Sequence, residues 1–365
     1  MRVVLVSDVY LPRLGGIETQ VSGLAVQLAR AGHQVVVLTA TAAGEVVGGD
    51  RPISGVTVRR LTPPIPLPAP INPWAGPDLD RLLAQADVVH AHLGVMAPFA
   101  AMAISRALAA DLPTVITWHS MVGESVSALR ARSWRAWVAA GALPSTVSGP
   151  AAEQLQAVLG AEVEVIPNGV DAAQWSNMTR DVVPDRPPHL VSAQRFATRK
   201  RPWGLIQAVE QARAQLPSVR KPTLEIAGDG HLLGAMRAWV ASRGWDWVSL
   251  PGRLDQPELA DLYARSDLYL NSSRKESFGI AAAEALASGL PVLGYANTGV
   301  ADIVADGHGW LAGNDADFVA RLRWIVERPD RLESARPPAA GERFTDWPAV
   351  VARTIALYRA AGAAP

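Results

Sequence analysis

The chain has 365 residues, and its 34 Lys+Arg balance its 34 Asp+Glu. Zero net charge weighs against a nucleic-acid binder, which carries a basic excess on at least one face. A 49% hydrophobic content over this length excludes a disordered chain and predicts about two domains, and the absence of cysteine excludes disulfides, thiolate metal sites and cysteine nucleophiles.

Val3–Val6 is a short β-branched run, the pattern of a strand buried on both faces. A loop containing Gly15 and Gly16 follows, then a helix over 17–31 with Val21, Leu24, Ala25 and Leu28 on one face. Val35–Thr39 is the next strand. Val56–Leu61, Asp87–His92 and Thr114–Thr117 continue the series, with a proline-rich loop at 63–77 and a helix over 97–110. The apolar run Leu93–Ser105 is shorter than the roughly 20 residues a membrane-spanning helix needs. The apolar run at the start of the chain is shorter than the core of about 7–15 residues in a signal peptide. Thr146–Ser148 and Val163–Ile166 flank a helix over 149–159. Residues 176–189 are polar and proline-rich, as expected of a linker. The alternation then restarts. Strands are expected at 190–193, 224–227, 248–250, 268–270 and 292–293, and helices at 203–214, 234–243, 257–264 and 278–288. A last helix, at about 347–360, carries the apolar stripe Trp347, Val350, Val351, Ile355 and Tyr358. Alternating strands and helices predict parallel sheets covered on both faces. In such sheets ligands bind beyond the carboxyl ends of the strands.

Gly15-Gly16-Ile17-Glu18 joins a strand to a helix. Glycines there let a ligand approach the backbone, and free helix N–H groups favour an anion, though a tight turn needs the same residues. The loop is neither a dinucleotide fingerprint nor a Walker loop. Arg195, Arg199, Lys200 and Arg201 crowd the end of a strand and suit a diphosphate or, equally, solvent. Lysine is rare here, limited to Lys200, Lys221 and Lys275. Glu276-Ser277-Phe278-Gly279-Ile280 leads into a helix in which Glu284 lies two turns on. Ser277 reads as the N-cap, and the N–H groups of Phe278, Gly279 and Ile280 could meet a phosphate. Glu276 and Glu284 could grip hydroxyls at two ends of one ligand. They are not placed like a glycosidase pair flanking a bond. His90 and His92 alternate on a strand and so share a face. Without cysteine or a clear third ligand, a structural role suits them better than a metal.

Taken in order, these features resemble retaining glycosyltransferase family 4. They are Gly15-Gly16-Ile17-Glu18, Asp87-Val88-Val89-His90-Ala91-His92, Trp118-His119, Ile166-Pro167-Asn168-Gly169-Val170-Asp171, Arg195 with Lys200, Gly228-Asp229-Gly230 and the Glu276-to-Glu284 signature. The resemblance implies an α/β, GT-B fold: two Rossmann-like, doubly wound domains facing across a cleft, with the C-terminal helix returning to the first. On that reading residues 1–175 with 345–365 bind the acceptor, 176–189 link, and 190–344 bind the nucleotide sugar. It implies that Arg195 and Lys200 neutralise the donor diphosphate and stabilise the leaving nucleotide. Gly16, next to Gly15, would offer its N–H to the distal phosphate, as would Gly279 and Ile280 beside Ser277 and Phe278. Glu276 would hold sugar hydroxyls and Glu284 the ribose. Arg253 and Leu254 would contact the base, and His119 would sit near the sugar and β-phosphate. The resemblance implies no metal and no cofactor, a UDP- or GDP-sugar as co-substrate, and a cytoplasmic protein. The chain departs from the family where Thr298-Gly299 replaces a common Gly-Gly, and where Asp302 stands for a common Glu.

The acceptor is a small molecule, a glycan or a lipid, and neither it nor the oligomeric state is fixed by sequence. Residues 125–140 combine Val126, Leu129, Trp134, Trp137 and Val138 on one arc with Arg132 and Arg135 opposite. An ordinary domain helix explains this pattern; peripheral contact with the inner face of a membrane is the other reading. Two alternative functions share the fold: a nucleotide-sugar epimerase and a non-catalytic nucleotide-sugar binder.

Overall fold

A computed structural model describes residues 1–13, 15–42, 55–63, 71–94, 96–122, 128–175, 186–304, 307–337 and 346–364. Residues 64–70 of the proline-rich loop, 125–127 of the arginine–tryptophan stretch and 176–185 of the expected linker lie outside these. The elements run β1 (Arg2–Ser7), α1 (Gly16–Arg30), β2 (Gln34–Thr39), β3 (Val56–Arg60), α2 (Gly76–Leu83), β4 (Val88–Leu93) and α3 (Pro98–Ala109). Next come β5 (Thr114–Trp118), α4 (Ala128–Ala139), β6 (Leu143–Thr146), α5 (Gly149–Leu159), β7 (Glu164–Val165) and α6 (Ala172–Trp175). Then follow β8 (His189–Ala193), α7 (Pro202–Ala214), β9 (Thr223–Ala227), α8 (Leu233–Ser242), β10 (Val248–Gly252), α9 (Gln256–Ala264) and β11 (Leu268–Leu270). The chain continues through α10 (Ile280–Ala287), β12 (Val292–Tyr295), α11 (Val300–Ile303), β13 (Gly309–Ala312), α12 (Asp315–Glu327), α13 (Pro329–Ser334) and α14 (Trp347–Ala360).

The chain divides into two compact units, Met1–Gly169 with Phe344–Pro365, and Val170–Arg343. The first unit holds a seven-stranded sheet in the order β3-β2-β1-β4-β5-β6-β7, with parallel pairing throughout. Successive side chains of a strand point to opposite faces, and the core is split accordingly. One face presents Val4, Val6, Val89, Ala91, Ile116 and Trp118 to residues of α2, α3, α4 and α5. The other presents Val3, Leu5, Val88 and Val115 to the Val21–Leu24–Leu28 stripe of α1 and to Val351 and Tyr358 of α14. The C-terminal helix therefore completes one wall of the first unit. Its Trp347 ring lies so close to Gly23 of α1 and to Gly169 that a Cβ at either would fall 2.4 and 2.3 Å from ring carbons.

The second unit holds a six-stranded sheet in the order β10-β9-β8-β11-β12-β13, also parallel. Leu190, Leu224, Ile226, Leu268, Leu270 and Leu293 from its strands pack with Leu205, Ile206 and Val209 of α7, Met236 of α8 and Phe318 and Leu322 of α12. Three expectations need correction. The strand expected at 146–148 is 143–146, because the Ser148 side chain accepts a hydrogen bond from the Ala151 N–H and so starts α5. Residues 172–175 form a helix of the second unit, outside the expected reach of the first to 175, since Trp175 packs on Tyr263 (ring centroids 5.7 Å). The helix expected from 278 starts at Ile280. The sequence reading had no counterpart for α2, β13 or α12.

Candidate active site

In the second unit, the loop after β8 carries Arg195 and Lys200 at the carboxyl end of the sheet. It rests on the loop after β9: the Phe196 N–H donates to the Asp229 carbonyl (2.9 Å), and the Gln194 N–H donates to the Ala227 carbonyl (2.9 Å). This seating requires Gly228 and Gly230. Their φ values are 135° and 151°, and a Cβ at Gly228 would lie 1.9 Å from the Gln194 carbonyl oxygen. Arg195 is exposed. Lys200 is half-buried at the end of a short 3₁₀ turn, and its ammonium pairs with the Glu276 carboxylate. Ser272 donates to the Lys200 carbonyl (3.0 Å), tying the two loops together. Arg201 leaves the basic group, because it makes a bidentate pair with Asp315 (2.9 and 2.7 Å) that Arg274 joins from the other side (2.9 Å). Its hydrogen bonds hold the Asp315 carboxyl well below the usual carboxylate range.

Glu276 is buried. The chain then runs through Ser277 and the buried Phe278 to Gly279, whose φ of 97° makes it the N-cap of α10. Ser277 is thus not the cap; anchoring Phe278 in the interior places the turn one residue beyond it. This segment lies against Gly299: the Gly299 N–H donates to the Glu276 carbonyl (2.8 Å), and a Cβ at Gly299 would fall 2.2 Å from the Ser277 oxygen. The Thr298 that departs from the family pattern is buried, with its hydroxyl on the Tyr295 carbonyl (2.8 Å). At the start of α10, Ile280 belongs to the first turn, whose N–H groups have no earlier helical carbonyl to bond. Glu284 lies on the next turn, where burial pushes its pKa up to about 8. Arg253 and Leu254 follow β10 directly, with Arg253 exposed. Lys200 and Glu276 are thus brought into contact, and Gly279 lies beside them, its Cβ position 3.5 Å from the Glu276 Cγ.

The first unit carries the remaining candidates. Gly15 precedes α1 as its N-cap and Gly16 is its first residue; Arg13 pairs with the buried Glu18 (3.1 Å) across this turn. His119 directly follows β5, its N–H on the Leu93 carbonyl (2.9 Å). It does not stand alone. Its Nε2 lies 3.0 Å from His92 Nδ1, and the His92 and His90 rings stack with centroids 4.1 Å apart. His90 is held at both ends, by the Tyr358 hydroxyl (2.8 Å) and the Thr117 hydroxyl (2.6 Å), and Thr117 bonds on to Ser145 (2.6 Å). Burial keeps all three imidazoles neutral, driving His119 down to about 4, His90 to about 3 and His92 well below its ordinary value. Among the described residues, no group of three or more His, Asp or Glu side chains is placed to share a metal ion.

Sequence reasoning placed His90 and His92 on one face but missed their link to His119. The signal was the register His92↔Thr117, which puts His119, two residues on, diagonally across the same face. It also missed Asp8. This buried carboxylate after β1 accepts from the Phe99 and Ala100 N–H groups at the start of α3 (2.9 Å each), and desolvation raises its pKa to about 6. The arginine–tryptophan helix presents a different surface from the expected arc. Trp134 is buried edge-on against Trp118 (5.4 Å), and Trp137 and Val138 pack on the core, so of the described arc residues only Leu129 is exposed. Among the described residues no helix is long and apolar enough to cross a membrane.

Residues 14–174 match the model of Glycosyltransferase Family 4, and residues 174–340 match that of Glycosyl transferases group 1. A glycogen synthase of Mycobacterium tuberculosis is 30% identical over 99% of this chain and 95% of its own length. A phosphatidyl-myo-inositol mannosyltransferase of Propionibacterium freudenreichii is 29% identical over 99% and 96%. The solved sucrose-phosphate synthase of Thermosynechococcus elongatus superposes with a TM-score of 0.72 over the whole of both chains at 18% identity, which shows the shared GT-B fold.

Proposed function

The chain belongs to glycosyltransferase family 4, and we propose that it moves a sugar from a nucleoside-diphosphate sugar to a sugar or lipid acceptor. The observation that carries this reading is the Lys200–Glu276 pair at the carboxyl edge of the second sheet, with the glycine-led start of α10 beside it. An ammonium and a helix N-terminus suit a diphosphate. In the proposed cycle the diphosphate draws the Lys200 ammonium, and the released Glu276 carboxylate accepts hydrogen bonds from the sugar hydroxyls. Arg195 adds positive charge as the leaving nucleotide develops its own negative charge. Gly279 and Ile280 offer N–H groups to phosphate, Glu284 takes the ribose, and Arg253 and Leu254 meet the base. His119 and the Gly15–Gly16 turn serve the sugar and distal phosphate. The sugar keeps its anomeric configuration, and these cationic groups do the work that a metal ion does elsewhere. The second unit is the donor domain and the first the acceptor domain.

The glycogen synthase and phosphatidyl-myo-inositol mannosyltransferase among the relatives support a glycan or lipid acceptor. Exposed Met96 and Leu129, with the Arg130 guanidinium 3.4 Å from the Met96 sulfur, favour a lipid-borne acceptor met at the inner membrane face by a cytoplasmic protein.

The test is a thermal-shift screen of nucleoside diphosphates and their sugars, followed by a transfer assay with the stabilising donor. The ligand of lowest Kd raises Tm most at equal concentration. The reading is wrong if no nucleoside diphosphate stabilises the chain. Donor binding without transfer or hydrolysis would leave the non-catalytic binder, and interconversion of the donor sugar would leave the epimerase.

A further inference from the structure

His92 has one ring nitrogen bonded and one not. Its Nδ1 lies 3.0 Å from His119 Nε2, while its buried Nε2 has no hydrogen-bond partner among the described residues. The side chain itself is 3% exposed. His92 and His119 both line a cavity of about 30 Å³, together with Gln20, Asn168 and Trp347. A neutral imidazole carries one proton, so only one of the two rings can donate in the bond between them.

The two arrangements differ in cost. With the His92 proton on Nε2, a buried N–H would lack an acceptor. With the proton on Nδ1, the bond to His119 is made and Nε2 retains a bare lone pair. Orphaned buried N–H groups are rarer than under-satisfied acceptors, so the second arrangement wins. His119 Nε2 must then accept, and its own proton must sit on Nδ1. The His92 ring cannot easily turn away, because it stacks on His90, and His90 is fixed at both nitrogens by Tyr358 and Thr117.

We infer that His92 is a positioning residue that locks His119 as the Nδ1–H tautomer, making His119 a fixed neutral hydrogen-bond donor rather than a general base. This rests on the reading of His119 as a residue of the transfer site. The consequence is chemical: Nε2 is occupied and Nδ1 is already protonated, so His119 offers an N–H to a phosphate or hydroxyl oxygen. Without its neighbour, His119 would relax toward the Nε2–H form that the free side chain prefers in water. The arrangement also ties the returning helix to the site, since Tyr358 reaches His119 through the two stacked rings.

The experiment uses the full chain labelled with ¹⁵N-histidine, with His119 signals assigned by their loss in His119→Gln. Long-range ¹H–¹⁵N spectra should show His119 protonated at Nδ1 and bare at Nε2. In His92→Phe the pattern should move toward Nε2–H. In His92→Asn, whose amide N–H stands near the place of Nδ1, it should stay. With the donor found in the screen, His92→Phe should lower kcat about tenfold to a hundredfold. His92→Asn should recover most of it, and nucleoside-diphosphate Kd should move less than twofold in both. Wild-type His119 protonated on Nε2 overturns the inference. So does an unchanged tautomer in folded His92→Phe, or in folded His92→Asn a loss of the Nδ1–H form. The spectra do not depend on turnover: the expected tautomers in a chain that transfers no sugar would uphold the lock and reject the transfer reading.

Discussion

The two units are built alike, as parallel sheets with loops gathered at the carboxyl ends of the strands, yet they hold opposite chemistry there. The second unit gathers charge: Lys200 with Glu276, Arg201 and Arg274 with Asp315, and exposed Arg195. The first gathers neutral polarity: three desolvated histidines chained to Tyr358, Thr117 and Ser145. Charges near water can be rearranged at small cost, because surface pairs contribute little. A buried neutral network resists rearrangement, because each lost partner leaves an unsatisfied group. The charged edge is therefore suited to exchange its internal partners for those of a ligand, and the neutral edge to hold a fixed geometry.

The largest effect that sharpens this contrast is on turnover. Lys200→Ala and Glu276→Gln should each lower transfer about 10²–10³-fold, the scale for removing one electrostatic stabiliser of a transition state. Circular dichroism and Tm should show both folded; full activity in either would sink its assigned role. Gly228→Ala should act on structure, since the added Cβ meets the Gln194 carbonyl oxygen and φ is 135°. A loss of about 3 kcal/mol in urea unfolding is expected, together with weakened nucleotide binding. On the neutral edge, Tyr358→Phe should cost about 1–2 kcal/mol by leaving His90 Nδ1 unpartnered. That cost should be insensitive to salt, whereas nucleoside-diphosphate binding should weaken as salt rises.

A smaller effect is a pH-dependent one. Glu284 titrates near 8 in the native state against an ordinary 4.5. Between these values the folded chain binds more protons than the unfolded, so this residue's contribution to stability falls as pH rises through that window. Glu284→Gln should therefore melt higher than wild type at pH 8 and approach it near pH 4.5, as followed by Tm across that range, while binding nucleotide less well. The smallest expected effect concerns Met96 and Leu129. If a lipid surface covers them, Met96→Ser with Leu129→Ser should reduce co-sedimentation with anionic vesicles severalfold at low salt; equal sedimentation of variant and wild type would reject that contact.

The sequence alone determined the alternating architecture, because a strand buried on both faces reads as an uninterrupted β-branched run, as Val3–Val6 and Val35–Thr39 do. It also located the loops that carry Arg195, Lys200 and Glu276, because glycines and helix starts mark the carboxyl ends of strands. Only the tertiary structure decided how those residues spend their charge. Arg201 and Lys200 are neighbours in sequence, yet one turns to Asp315 and the other to Glu276, partners more than seventy residues away. Ser277 looked like a cap by its type, and the burial of Phe278 moved the cap to Gly279. Trp134 matched a membrane-facing arc by its spacing, and packing on Trp118 buried it. The histidine chain joins β4, β5 and α14, segments up to 268 residues apart. Local periodicity reports which face a side chain takes; what it meets on that face depends on strand register and on the returning helix, which form only when distant segments pack.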